Sequence, residues 1–313
     1  MGFAGAMAVA VSLDALFGWP DWLVVRIGHP VTWLGRLIGV LDARWNRDTD
    51  PPSLRRVGGV AAALVVIVVA AGLGWALQSM MTSAFSHVVI VGILATPFVA
   101  GRSLYEHVAA VGRPLLSGDV AAARAAVAMI VGRDPAKLDE AAIARASIES
   151  LSENTSDGIV APLFWGALFG LPGIIGYKAI NTLDSMIGHR SERHEDFGWA
   201  SARIDDIANF VPARLTALLF ALVSATHKDA LACVLRDAGH HRSINAGWPE
   251  AAMAGSLAVR LCGPRFYHGQ LADEPWLNGG APDPKADDIT RALKLYVRAV
   301  VCLAGLLVIL AFV

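Results

Sequence analysis

Residues 57–77 run for 21 positions without a charged side chain, and a stretch of that length has few ways to fold. As an α-helix it extends about 30 Å, the thickness of a bilayer's hydrocarbon core. In lipid every backbone N–H and C=O needs a partner inside the segment, which a helix supplies and an open strand does not. The rest of the chain agrees: 55% of its 313 residues are hydrophobic and only 17% are charged, well under the roughly one quarter usual in soluble domains.

Shorter or proline-broken apolar runs occur at 3–17, 88–101, 159–177, 210–225 and 296–313. No alternating β-branched pattern and no internal repeat stands out, so the expected fold is all-α: a multi-pass integral membrane helical protein. The first apolar run lacks a basic start and reads as a retained anchor. Net charge is −1, which leaves no electrostatic case for nucleic acid. Cys233, Cys262 and Cys302 lie far apart with no CxxC pair, so neither a disulfide framework nor a zinc site is expected. The nine histidines show no metal-ligand spacing, and His240–His241 reads as a surface pair.

Charge bias orients the chain. Residues 18–56 carry six arginines, whereas 78–87 have no Lys or Arg, which puts the first loop in the cytoplasm and the second outside. A conflict follows at 159–177. If that run spans fully, Lys178 and the polar groups after it lie outside, away from Glu149 and Glu153. Pro162, Pro172 and Gly173 break the run, and broken backbone at membrane depth is tolerated where protein surrounds it or it lines a cavity. A re-entrant hairpin is the preferred expectation, with 210–225 also entering and leaving on one side, and full spanning as the alternative. Residues 226–295 read as a small cytoplasmic lobe, with 279–288 as a linker before the final membrane helix, 296–313. The whole is expected to be one domain with its polar core at about 130–215.

Three polar clusters do not belong in a plain anchor. In RASIESLSENTSDG (residues 145–158), Arg145, Glu149, Glu153 and Asp157 recur every fourth residue along one helix face. Stacked carboxylates repel unless a cation sits between them, and hard cations take oxygen ligands; a solvated face is the alternative, and Asn154 lies within the run. In YKAINTLDSMIGHRSERH (177–194), Lys178, Asn181, Thr182, Ser185 and His189 share a face, with Asp184 beside it. Lys178 and Arg190 suit phosphate, as a point charge and as a bidentate fork, or snorkel to the membrane interface. In SARIDDIANFVPARL (201–215), Asp205 and Asn209 share a face, Asp206 adjoins them, and Arg203 and Arg214 flank them. That set suits Mg²⁺ or a phosphate-bearing ligand; helix capping by the acids is the alternative. Arg133 in GRDP is a weaker signal. Neither a Walker loop nor GxGxxG is present.

Read in order, these segments resemble the adenosylcobinamide-phosphate synthase family. The likeness begins at Asp14 and runs through GHPVTWLGRLI (28–38), IVGRDP (130–135), ARASIESLSENTSDGIVAPLFW (144–165), the second and third clusters, and NAGWPEAAMAG (245–255). Trp19 stands where the family commonly has an acid, and Ile244 where it often has Pro. The resemblance implies ATP-dependent amide formation between adenosylcobyric acid and aminopropanol phosphate (or aminopropanol), with ATP and Mg²⁺ required and the corrinoid as substrate. It implies that Glu149, Glu153, Asp157, Asp184, Asp205 and Asp206 share the roles of metal ligand and base. Asp205 and Asp206 are the leading metal ligands, with Glu153 and Asp157 as alternatives. Lys178, Arg133, Arg190 and Arg214 would hold phosphates, and Asn154, Asn181, Thr182, Ser185, His189 and Asn209 would orient substrates. The expected setting is the inner membrane with the site facing the cytoplasm, in contact with lipid, other late cobalamin-assembly enzymes and further copies of the chain. Two rivals stay open: a membrane Mg²⁺-diphosphate transferase, although DDxxD is absent, and a non-catalytic sensor or assembly protein.

Overall fold

The computed structural model describes residues 2–81, 84–130, 138–189, 191–267, 270–272 and 274–313. The chain order begins with α1 (Ala4–Phe17), α2 (Asp21–Ile27), α3 (Pro30–Trp45), α4 (Pro52–Ser79), α5 (Ala84–Ala95), α6 (Gly101–Leu116) and α7 (Val120–Val127). It continues with α8 (Glu140–Thr155), α9 (Ala161–Phe169), α10 (Leu171–Leu183), α11 (Trp199–Val223), α12 (His227–Asp237), α13 (Gly247–Leu257) and α14 (Ala286–Ala311). Between α13 and α14 lie strands β1 (Leu261–Cys262), β2 (Arg265–Tyr267), β3 (Gln270–Ala272) and β4 (Trp276–Leu277). They pair antiparallel as β1 with β4 and β2 with β3.

This is an all-α multi-pass membrane protein. The runs Pro52–Ser79, Val88–Leu116, Trp199–Val223 and Ala286–Ala311 are long and apolar enough to cross a bilayer. The side chains of α4 are distributed as lipid requires. On α4, Ala62, Ala63, Val66, Ala70 and Gly74 face inward, while Leu64, Val68, Val69, Leu73 and Trp75 are exposed. Small residues inside let backbones approach, and large aliphatic ones outside meet acyl chains.

By packing, the chain falls into two compact units: 1–100 with 161–209 and 304–313, and 101–160 with 210–303. In the first, α4 lies along α10, and α1 packs on α5 and α9. The apolar run 159–177 is not one helix. It breaks at Gly170, whose φ of +71° lies in the left-handed region. A Cβ on Gly173 would stand 2.1 Å from the Trp165 carbonyl oxygen. Eight residues apart on a straight helix those groups would be about 12 Å distant, so α9 and α10 form a hairpin. The break anticipated from Pro162, Pro172 and Gly173 is thus present, and the Gln78 side chain at the end of α4 accepts the Leu171 N–H at 2.8 Å across it.

A polar network pins the segment between α10 and α11 to α3 and α4. Asn46 donates to Asp42 at 2.8 Å and to the Arg193 carbonyl at 3.0 Å. Arg55 donates to Asn46 at 2.7 Å and reaches the same carbonyl. Arg193 grips Asp42 with two N–H groups at 3.2 and 3.0 Å. Burial alone would raise the Asp42 pKa, but these hydrogen bonds and the Arg193 charge hold it below the usual value. Phe197, fully buried, then meets α4 at Gly59.

In the second unit α8 is buried along most of its length and packs on α6, α7, α13 and β1. Of residues 279–288, expected as a linker before a helix at 296, the last three already form the first turn of α14, where Asp288 accepts the Lys285 N–H at 2.8 Å, and the rest are held in place. Asp283 receives Arg260 at 2.6 and 3.0 Å and also Arg145, and both guanidinium groups lie over the Trp276 ring.

A Cβ at position 59 would lie 1.8 Å from the Phe197 carbonyl oxygen. Gly59→Ala should therefore cost about 1–3 kcal/mol through overpacking, read as a lower thermal midpoint in detergent. An unchanged midpoint would mean that α4 and the Phe197 segment separate freely.

Candidate functional site

The second cluster occupies the last turns of α10 and the π-helical turn Asp184–Gly188 that follows; such turns are frequent at functional sites. Lys178, half-buried, donates to Asn181 at 3.0 Å. Thr182 and Ser185 bond back to the carbonyls of Lys178 and Asn181 at 2.6 and 2.8 Å. These hydroxyls satisfy themselves on the helix and leave the Lys–Asn pair as the polar feature of this face. The turn before α3 comes close to it. Burial first, and the Lys178 charge second, hold His29 below its ordinary pKa. The His29 ring accepts the Val31 N–H at 3.3 Å and meets the edge of Trp19, with 5.5 Å between ring centroids.

The third cluster comes to the same place on α11. Tyr177 donates to Asn209 at 2.7 Å, and Asn209 in turn donates to Asp205 at 2.9 Å. Trp165 donates to the Ala208 carbonyl at 3.1 Å, and Ala161, Tyr177 and Ala208 form an apolar floor with Trp165 and Ile180. Asp206 holds Arg203 at 3.3 Å and is near enough to Asp184 for its charge to be felt there. Burial pushes the Asp184 carboxyl up, His189 pulls against that, Asp206 adds to it, and the net shift is upward. Two acids in each other's field, one desolvated, form a set that a divalent cation relieves.

The first cluster belongs to the second unit, where its stripe has more than one fate. Steps of four residues drift about 40° each around a helix, so the four residues do not share one depth: Arg145 and Asp157 are half-buried, Glu149 is buried and Glu153 is exposed. Arg145 binds Asp283, and buried Glu149 accepts the Cys262 N–H at 2.8 Å. Glu153 and Asn154 are exposed, and Asn154 bonds to the Ser150 carbonyl at 2.9 Å. Asp157 lies in a second π-turn, Ser156–Val160. Arg214 is tied to the NAGW segment through Asn245 at 3.1 Å and the Ile244 carbonyl at 3.2 Å, and it covers the Phe210 and Trp248 rings. Arg133 and Arg190 fall outside the described residues.

Sequence reasoning passed over Tyr177, His29 and Ser201. Ser201 is buried one turn before Asp205, and its hydroxyl has no hydrogen-bond partner among the described residues. The i, i+4 relation to Asp205 was the available signal. It also passed over a cavity of about 450 Å³ in the second unit, lined in part by Arg113, Lys294 and Arg298. Lys294 and Arg298 are one turn apart, and the three cations suit an anionic group.

Residues 7–296 match the family model described as CobD/Cbib protein. The chain belongs to that family. It is 58% identical to the cobalamin biosynthesis protein CobD of Rhodobacter capsulatus, over 100% of this chain and 98% of that one. Proteins of the same name from a Sinorhizobium species and from Brucella suis are 45% and 43% identical, over 98% and 96% of this chain and 98% and 95% of theirs. No solved structure matches. The CobD/Cbib likeness covers both units, and with them all three clusters.

The raised Asp184 pKa has a thermodynamic consequence. In the folded state its charged form is disfavoured, so the group subtracts stability above its folded pKa and nothing below its unfolded value of about 3.9. Asp184→Asn should raise the thermal midpoint at neutral pH, and the gain should vanish on acidification below pH ~4. A variant less stable than the parent at neutral pH would overturn this assignment.

Proposed function

We propose that this chain joins the free propionate of adenosylcobyric acid to the amine of (R)-1-aminopropan-2-ol phosphate, or of aminopropanol itself, in an ATP-dependent condensation of cobalamin biosynthesis. One observation carries the reading. In a CobD/Cbib protein, the second and third clusters form one constellation containing an ammonium group, two mutually repelling carboxylates and a Tyr177–Asn209–Asp205 chain. The names of the relatives support the pathway, and the chemistry of the groups supports the reaction class.

A carboxylate does not react with an amine unaided, because its leaving group is poor. Transfer of the ATP γ-phosphoryl to the propionate oxygen yields an acyl phosphate and ADP. The neutral amine then attacks the carbonyl carbon, the C–N bond forms, the C–O bond to phosphate breaks, and the ammonium proton passes to a base. Lys178 neutralises phosphate, and Asn181, Thr182, Ser185 and His189 line its approach. Asp184, Asp205 and Asp206 fit Mg²⁺, since clustered carboxylates need a hard cation; Glu153 and Asp157 are the alternatives in the second unit. Mg²⁺, when bound, neutralises developing charge on the ATP phosphates. Because ATP is cytoplasmic, the reading puts this face on the cytoplasmic side of the inner membrane.

Purified protein in detergent, given adenosylcobyric acid, ATP, Mg²⁺ and aminopropanol phosphate, should convert the corrinoid to a product heavier by one amide condensation. Mass spectrometry reads that product, which should require both ATP and amine. Lys178→Ala and Asp184→Asn should slow its formation by at least ~100-fold. Tight corrinoid binding without mass gain would replace the synthase reading with a binding or assembly role.

A further inference from the structure

Three side chains that are far apart in sequence meet in the second unit. His241 lies just after α12, Glu250 is in the first turn of α13, and Cys262 ends β1. The Cys262 thiol is 2.9 Å from Glu250 Oε2, and His241 Nε2 is 3.9 Å from the same oxygen. One donor atom from each residue lies within 4.8 Å of the other two. Glu250 and Cys262 are 4% and 2% exposed. We propose that His241 Nε2, Glu250 Oε2 and Cys262 Sγ form a binding site for one divalent metal ion of the zinc class.

The donor set argues for the ion. Imidazole, carboxylate and thiolate together suit a borderline-soft divalent metal, whereas Mg²⁺ and Ca²⁺ take oxygen almost alone. Bonds of ~2.0–2.3 Å around a tetrahedral ion hold donors roughly 3.3–3.6 Å apart, so these three need shifts on the order of an ångström. Charge balances as well. A carboxylate, a thiolate and a neutral imidazole around a dication sum to zero, the least costly arrangement in a buried position.

The surroundings are arranged for coordination. His241 Nδ1 is 3.2 Å from the Ser243 carbonyl oxygen. The same nitrogen accepts the Ser243 N–H at 3.0 Å; with Nδ1 protonated it donates to the carbonyl instead, the usual second hydrogen bond of a histidine bound to metal through Nε2. The Cys262 backbone N–H is held by Glu149 at 2.8 Å. Cys262 itself has φ of +59°, and a non-glycine residue keeps such a backbone where its surroundings over-determine it. The three donors come from three separate segments, so an ion would cross-link the lobe formed by α12, α13 and β1. A fourth position is left for water. Cys233 is engaged elsewhere: it donates to Asp237 at 3.5 Å, and burial, then Asp237 beside it, push its thiol up to about 12.

The site stands apart from the proposed reaction, so its test reads metal rather than product. Full-length protein purified in detergent without chelator should carry about one zinc per chain by elemental mass spectrometry. After exchange with Co²⁺, a thiolate-to-metal charge-transfer band should appear. Cys262→Ser and His241→Gln should weaken metal affinity by at least ~10-fold and remove or shift the band, while Cys302→Ser should leave both unchanged. Should the variants fail to fold, the parent still decides: chelation should lower its thermal midpoint, and zinc should restore it. Folded parent that takes up neither Zn²⁺ nor Co²⁺, or a band that survives Cys262→Ser, would overturn the site and leave a buried His–Glu–thiol hydrogen-bonded cluster.

Discussion

The first unit depends on a single bend in an apolar segment. A helix interrupted away from water strands the N–H groups of its new first turn, and each one unsatisfied there costs several kcal/mol. Gly170 supplies the left-handed backbone that the bend requires, and Gln78 meets the exposed N–H of Leu171 at 2.8 Å. Since Gln78 stands near the end of α4, this bond also sets how far along α4 the new helix begins. From there α10 packs down α4 and brings Tyr177 and Lys178 beside α11 and the His29 turn. A continuous helix through 159–177 would carry those groups elsewhere.

Two half-buried carboxylates of this unit illustrate how polarity divides between fold and site. Asp42 is surrounded by donors and lies below its ordinary pKa, so its charge is stabilised by the fold and helps hold the 191–198 segment. Asp184 is desolvated and faces Asp206, so its charge is tolerated at a cost. Groups pushed in opposite directions mark different duties. The first kind is what a protein keeps for stability. On the proposed reading, the second is what it keeps for a ligand that restores the balance when bound.

Much of this was legible in residue order. The uncharged run at 57–77 announced α4, and Pro162, Pro172 and Gly173 announced a break, though it is Gly170 that makes the turn. Polar residues spaced three and four apart put Lys178, Asn181 and Asp205 with Asn209 on shared faces, and both groupings appear as hydrogen bonds. What escaped was everything set by tertiary approach. Periodicity gives a face but not its depth, so Arg145 through Asp157 read as one stripe although Glu149 is buried and Glu153, one turn on, is exposed. Tyr177 read as apolar edge because its partner, Asn209, lies 32 positions away. His241, Glu250 and Cys262 escaped for the same reason, since spacing rules detect only donors that share a local segment.

The proposed chemistry gives the apolar floor a further meaning. An acyl phosphate is lost to hydrolysis where water reaches it, so the site gains by keeping water out. Ala161, Trp165, Tyr177, Ile180 and Ala208 offer no free polar group to hold water beneath the cluster: the Trp165 N–H is spent on the Ala208 carbonyl and the Tyr177 hydroxyl on Asn209. The same two bonds fasten α9 and α10 to α11, so the groups that dry the floor also fix the distance between the second and third clusters. A membrane setting extends that dryness without additional protein, because α4 and α11 are apolar enough to lie in lipid, which would cover their outward faces. On this reading, condensation and bilayer belong together for a physical reason: the reaction that must exclude water is carried out by helices already selected to avoid it.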